Sequence, residues 1–201
     1  HHLVVGDIDR ETALQSLSEL SKAWSPVDYA WPQYRIAEAP EESKVYFYDV
    51  PGAKQSVLRF GYPALAATDP DFYAVDVMNY ILGGGGFASQ LTQQLREGKG
   101  YTYGIFSDFS GSSMPGPFVI SSGVRSNVTL EAASLVKDIL ENYGKNYNEN
   151  DLEVTKGALI KSNARAFETV GSKLNMLMDI SAYNWPYDYV KQRESIVNEM
   201  T

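Results

Sequence analysis

Two pairs of β-type runs, each joined through a proline–glycine turn, are separated by helical stretches and followed only by helical periodicity. Residues 45–50 and 56–62 flank Pro51-Gly52, and residues 101–109 and 118–124 flank Pro115-Gly116-Pro117. Proline and glycine preset turn backbones that other residues resist, so each pair reads as a hairpin. Strands made as hairpins pair antiparallel and leave one sheet face for the helices to cover. The pattern therefore predicts an α+β chain in two layers, a largely antiparallel sheet with helices on one face.

Between the hairpins, Asp69 starts a helix and Pro70 suits its first turn. Val75, Met78 and Leu82, with Ala74 and Ile81 alongside, form its apolar face. It ends at Gly83-Gly84-Gly85-Gly86, and a second short helix carries Phe87, Leu91 and Leu95 at i, i+4 and i+8. After the second hairpin, Asn127 is read as the cap of a helix with Ala132, Leu135, Val136, Ile139, Leu140 and Tyr143 on one face. Asn148 or Asn150 starts a long helical region that runs through Leu159 and Ile160 towards Phe167. Gly171 and Pro186 interrupt it, and a last helix runs from about Tyr187 to the end.

Upstream of the first hairpin the chain is organised differently. Residues 3–5 are a short β-type run, and Asp9 is a cap for a helix with Leu14, Leu17, Leu20 or Ser21, and Trp24 on one side. Residues 25–43 hold Pro26, Pro32 and Pro40 and the acidic Glu38, Glu41 and Glu42, the composition of a linker. The expected division is 1–24, 25–43 and 44–201.

Composition removes several function classes. The 201 residues include no cysteine and two histidines, His1 and His2, which together read as a purification-tag remnant. Without cysteine there is no thiolate zinc site and no cysteine nucleophile. Without other imidazoles there is no Ser-His-Asp triad and no histidine base. With 17 basic against 25 acidic side chains the net charge is −8, which argues against a nucleic-acid surface. No apolar run reaches the roughly 18 residues of a membrane span. The sequence assigns no compartment; bacterial periplasm and cytoplasm both accommodate it.

The remaining candidates each have two readings. Phosphate-binding glycine loops follow a strand and open a helix, whereas Gly83, Gly84, Gly85 and Gly86 follow a helix. Ending a helix takes one glycine, so four suggest close backbone approach, either to another segment or to a bound peptide. Arg96 and Tyr103, seven residues apart, could hold a peptide carbonyl or carboxylate; composition alone favours a solvated helix-end arginine and a half-buried strand tyrosine. Asp7, Asp9 and Glu11 lack the pattern of a calcium loop, and capping explains them better. The fourteen tyrosines include Tyr46, Tyr48, Tyr62, Tyr101 and Tyr103 on expected strands, which suits a peptide surface and ordinary strands alike. Asn127-Val128-Thr129 fits the glycosylation pattern as well as a cap. No Gly-x-Ser-x-Gly is present.

Taken in order, Pro51-Gly52-Ala53-Lys54-Gln55-Ser56, Asp69-Pro70-Asp71-Phe72-Tyr73, residues 82–91 with the glycine run, and Leu95-Arg96-Glu97 through Gly100-Tyr101-Thr102-Tyr103-Gly104 closely resemble the C-terminal, non-catalytic half of the pitrilysin/insulinase zinc metallopeptidases. Mitochondrial processing peptidase and the bc1 core subunits belong to the same superfamily. The resemblance extends through Glu131-Ala132, Leu152-Glu153 and Lys156. It implies the fold shared by LuxS and the mitochondrial processing peptidase. It also implies no metal and no catalytic residue in this chain, with zinc bound by an H-x-x-E-H motif and a distal glutamate in the other half. On the same basis, Arg96 and Tyr103 correspond to a pair that contacts substrate near the zinc, and the glycine run lets the chain approach. The expected partners are the catalytic half, in the same chain or another subunit, and an extended peptide. This chain alone should hydrolyse nothing. One departure is Ser89-Gln90-Leu91, where many relatives have Ser-Arg-Leu. The resemblance also casts residues 1–24 as the last strand and helix of the preceding half and ends the chain before the second half's own final pair. Residues 3–24 are accordingly expected to fill that vacant sheet position, in cis or by exchange between two copies. The alternative function is a scaffold or assembly subunit like the bc1 core proteins.

Overall fold

The computed structural model describes residues 2–25, 27–30, 32 and 34–201. His1 and Pro26, which enter the readings of the terminus and the linker, lie outside them. Two short helices, α1 (Arg10–Ser16) and α2 (Ser18–Ala23), precede a stretch without helix or strand. Asp9 caps α1 as expected, its carboxylate accepting from the Thr12 amide at 2.8 Å. Three strands follow, β1 (Gln55–Pro63), β2 (Thr102–Phe109) and β3 (Pro117–Arg125), in the antiparallel order β1-β3-β2. Helix α3 (Phe72–Asn79) and two π-helical turns, Tyr80–Gly84 and Thr92–Gly98, lie between β1 and β2. Helices α4 (Thr129–Asn146), α5 (Glu149–Arg165), α6 (Val170–Tyr183) and α7 (Tyr189–Glu199) complete the chain. This is the expected two-layer α+β arrangement.

The core lies between one sheet face and the helices. On β3, Phe118, Ile120, Ser122 and Val124 point inward at every second residue, as strand geometry requires. They meet Leu91 and Leu95, and Ala132, Val136, Ile139 and Tyr143 of α4 at helical spacing. The Tyr143 hydroxyl donates to the Met78 carbonyl at 2.5 Å, tying α4 to α3. Burial pushes its phenol far above the ordinary range. Among the described residues no helix covers the opposite sheet face: Val57 is 73% exposed and Phe106 58%.

Four expectations are corrected. Residues 45–50 do not pair with β1. The Ala53 amide donates to the Val50 carbonyl at 3.1 Å and Gly52 has φ +78°, the signature of a type II turn at Pro51-Gly52. That turn twists against the hairpin direction and splays its flanking segments, leaving Val45 95% exposed. The first β-pair is instead β1 with β3, which is non-local. Second, residues 3–5 form no strand and residues 3–24 do not complete the sheet within this chain. They line a cleft of about 600 Å³ together with Leu177 of α6. Third, Asn127 is not a cap: a 3-10 turn, Ser126–Val128, carries the chain into α4, and Thr129 Oγ1 bonds Ser56 of β1 at 2.7 Å. Fourth, Phe87, Leu91 and Leu95 do not share one α-helix: Phe87 lies in a 3-10 turn, Gly86–Ala88, that ends at an extended Ser89, and Leu95 lies in the π-helical turn beyond it, which leaves Phe87 63% exposed while Leu91 and Leu95 are fully buried. Asn148 does cap α5, in a reciprocal box with Asp151.

The glycine run lies against β2. A Cβ on Gly83 would collide with the Ser107 hydroxyl, with its amide at 2.7 Å and with Leu91 Cδ1 at 2.9 Å. Beside it, the Asn79 amide donates to the Ser107 carbonyl at 3.0 Å, and the Ser107 hydroxyl returns a bond to Asn79. Thr92 donates to the Ile105 carbonyl at 3.2 Å. Side chains thus satisfy carbonyls of an outer strand that has only one neighbour. Gly83→Ala should lower stability by about 1–3 kcal/mol through overpacking, read as a lower denaturant midpoint at unchanged slope.

Helices α3 and α7 are joined by the ion pair of Asp76 with Arg193. Burial raises the affinity of Asp76 for a proton, and Arg193 only partly offsets this. The folded chain therefore holds that proton more tightly than the unfolded chain. This contribution is greatest below the ordinary carboxyl value of 3.8 and is lost as pH rises through the folded-state pKa. The stability difference between wild type and Asp76→Asn should shift against wild type over that rise, read from thermal midpoints between about pH 3 and 6.

Candidate functional site

Arg96 sits on the π-helical turn Thr92–Gly98 directly after the buried Leu95, so the core anchors its backbone and turns its side chain outward. The turn closes with the Gly100 amide on the Arg96 carbonyl and the Tyr101 amide on the Leu95 carbonyl, both at 2.9 Å. π-Helical turns are rare and recur at functional sites. The Arg96 guanidinium stacks 4.6 Å from the Phe87 ring centroid, and its Nε is 3.3 Å from Glu97. Phe87 is placed by the left-handed Gly86 before it (φ +59°) and by a bond from Gln93 Nε2 to its carbonyl at 2.5 Å. A stacked guanidinium paired through Nε keeps its Nη edge available.

Tyr103 reaches the same place through an irregularity in β2. The register with β3 slips between Thr102 and Ile105, so Tyr103 and Gly104 both lie outside and Tyr103 is 88% exposed. Buried hydroxyls hold this bulge. Thr102 Oγ1 lies 2.7 Å from the Gly123 carbonyl and 2.8 Å from that of Gly104, and accepts from the Gly104 amide at 3.0 Å. The Ser122 hydroxyl bonds Thr102 Oγ1 at 2.9 Å. Bulges of this kind re-aim side chains next to functional sites.

The two side chains line one groove of about 470 Å³, together with Gln55, Glu97, Tyr101 and Arg125. Gln55 and Arg125 are opposite each other in the β1–β3 register, which brings the start of β1 to the groove. The structure thus brings Arg96 and Tyr103 together. It does not bring Gly83, Gly84, Gly85 or Gly86 into the groove: Gly83 packs on β2, and the run serves the groove only through Phe87. Sequence reasoning missed Phe87, assigned to a helix face, and also Arg125, Gln55 and Glu97. Arg125 follows the buried Val124 and so had to face outward, but only the pairing register shows what lies beside it. Among the described residues there is no group of three or more His, Cys, Asp or Glu that could hold a metal ion.

Comparison with known proteins bears on the family and the fold. Residues 2–159 match the family described as the peptidase M16 inactive domain. An uncharacterized zinc protease of Streptomyces coelicolor is 29% identical over 125 residues, 62% of this chain and 27% of that protein. Among solved structures, a peptidase M16 inactive domain from Pseudomonas fluorescens superposes with a TM-score of 0.82 at 28% identity, covering 98% of this chain and 46% of that one. A protease from Helicobacter pylori shares the fold, with a TM-score of 0.85 at 18% identity over 98% of this chain and 48% of its own. The chain therefore spans about a quarter of the curated relative and just under half of each of these structures.

Thr102→Val should cost about 1–3 kcal/mol, because it removes the hydroxyl that accepts from the Gly104 amide and reaches the Gly123 carbonyl, leaving the Ser122 hydroxyl with the Gly104 carbonyl. Hydrogen exchange of the Gly104 amide should quicken beyond what the global loss explains; unchanged relative protection would show that the bulge does not need this hydroxyl.

Proposed function

Because the chain belongs to the peptidase M16 inactive-domain family, we propose that it is the non-catalytic half of a zinc peptidase, closing over an extended peptide beside a zinc site carried by the other half. What supports this reading is the convergence of Arg96 and Tyr103 on one groove, at the start of a strand whose outer edge pairs with no strand among the described residues. An extended peptide is a strand without a sheet, and the outer edge of β1 is unpaired among the described residues; main-chain pairing would supply affinity in any register. The same edge could take a strand from a second copy. Within this reading residues 1–24 belong to the preceding half, 25–43 connect, and 44–201 face the peptide.

The chemistry assigned to this chain is binding and orientation. The Nη edge of Arg96 donates charge-assisted hydrogen bonds to a peptide carbonyl, and the Tyr103 phenol donates a neutral one. Together they fix where one peptide unit lies relative to the other half. Bond cleavage depends on that other half, which supplies the zinc.

The test is peptide hydrolysis by the full-length protein, with and without a zinc chelator. Arg96→Ala should lower kcat/KM about ten- to a hundredfold, the range for truncating a charged hydrogen-bond partner, and Tyr103→Phe several-fold. Activity indifferent to both changes would make the pair structural. A wild type inactive even with zinc and its catalytic half supplied would favour the scaffold subunit instead.

A further inference from the structure

The donor balance of the groove goes beyond what a peptide backbone requires. A backbone presents carbonyls and amides in equal number and carries no charge. The groove is lined by two arginines, Arg96 and Arg125, the tyrosines Tyr101 and Tyr103, Gln55 and a single acidic residue, Glu97. Its net charge is positive on a chain whose own net charge is −8. Glu97 is engaged by Arg96 through Nε. Arg125 has no ion pair among the described residues.

Arg125 is also held in place. Its backbone is the last rung of β3, opposite Gln55, and its amide donates to the Tyr101 carbonyl at 3.2 Å. The side chain therefore leaves a fixed strand beside Gln55, its cross-strand neighbour on the outer sheet face. A guanidinium presents a planar fork of N–H donors matched to a carboxylate. The amide of Gln55 and the phenol of the exposed Tyr103 are neutral donors on the same groove.

We infer that the groove is a carboxylate subsite, with Arg125 as its specificity-determining residue: the peptide carries an acidic group beside the unit held by Arg96 and Tyr103. This rests on the peptide-binding reading above and narrows it to a substrate class. The carboxylate belongs either to an Asp or Glu side chain or to the peptide's own C-terminus, and both present the same fork-matched oxygens.

The test uses the 15N-labelled 201-residue chain and three capped decapeptides followed by NMR titration. One has a central Glu and an amidated C-terminus, the second has Gln in that place, and the third is the Gln peptide with a free C-terminal carboxylate. At least one carboxylate peptide should bind about tenfold more tightly than the neutral one, as a charge-assisted pair implies, with shifts centred on the amides of Tyr103, Gly123 and Arg125. Which peptide wins identifies the source of the carboxylate. Arg125→Gln should abolish the preference, with the dispersed amides of the core reporting that the variant is folded. Equal binding of all three peptides in the groove, or a preference that survives Arg125→Gln, overturns the subsite while leaving the peptide-binding reading standing. No groove shift with any peptide overturns both.

Discussion

Gly83 lies so close to Ser107 that no side chain fits between them. That contact is the constraint on which the rest of the structure depends, because it seats a helix end on an outer strand. Asn79 and Ser107 exchange hydrogen bonds across it, and Thr92 adds another one strand-step away. A buried polar pair of this kind is costly if half made and specifying if complete. Completed, it sets both π-helical turns against β2. Leu91 and Leu95 then fall into the core, and Arg96 and Phe87 fall outside it. The position of the groove follows from the packing of residues that never touch it.

A second buried network does the corresponding work on the sheet. Thr102 and Ser122 sit on the helix-facing side, where hydroxyls without partners would be penalised. Their partners are each other and the backbone of the bulge. The cost of leaving them unpaired keeps β2 out of regular register at Tyr103, and the tyrosine stands clear of the sheet. Both halves of the groove are thus held by polar groups inside an otherwise apolar core. The open sheet face beside them, with Val57 and Phe106 uncovered, leaves the site accessible from one direction.

The layer arrangement was legible because it depends on periodicity alone. Ala132, Val136, Ile139 and Tyr143 repeat at helical spacing, and Phe118, Ile120 and Val124 at strand spacing, whatever lies opposite them. The errors came where two local signals compete or where a distant partner decides. Residues 45–50 have strand composition, but the turn after them has the wrong hand for a hairpin, and β1 finds its partner about sixty residues later in β3. Asn127 has capping chemistry, but Thr129 is tied back to Ser56 on β1, and a 3-10 turn occupies the cap position. Phe87, Leu91 and Leu95 share a face only if one α-helix carries all three; an extended Ser89 ends the 3-10 turn that holds Phe87, and Phe87 leaves the face.

The candidate site divides along the same line. Arg96, Tyr103 and the four glycines stood out in the sequence, and the seven-residue spacing with its flanking motif carried the family resemblance that the family match supports. Sequence alone also determined that this chain holds no cysteine and no histidine beyond its first two residues. Only the tertiary structure decided that Arg96 and Tyr103 share a groove while the glycines do not, and that Phe87, Gln55 and Arg125 belong with them. The reason is physical. Residue types and spacing are local, whereas the β1–β3 register, the bulge and the contact at Gly83 are set by groups far apart in the chain, whose pairing is favourable only once the core between them has closed.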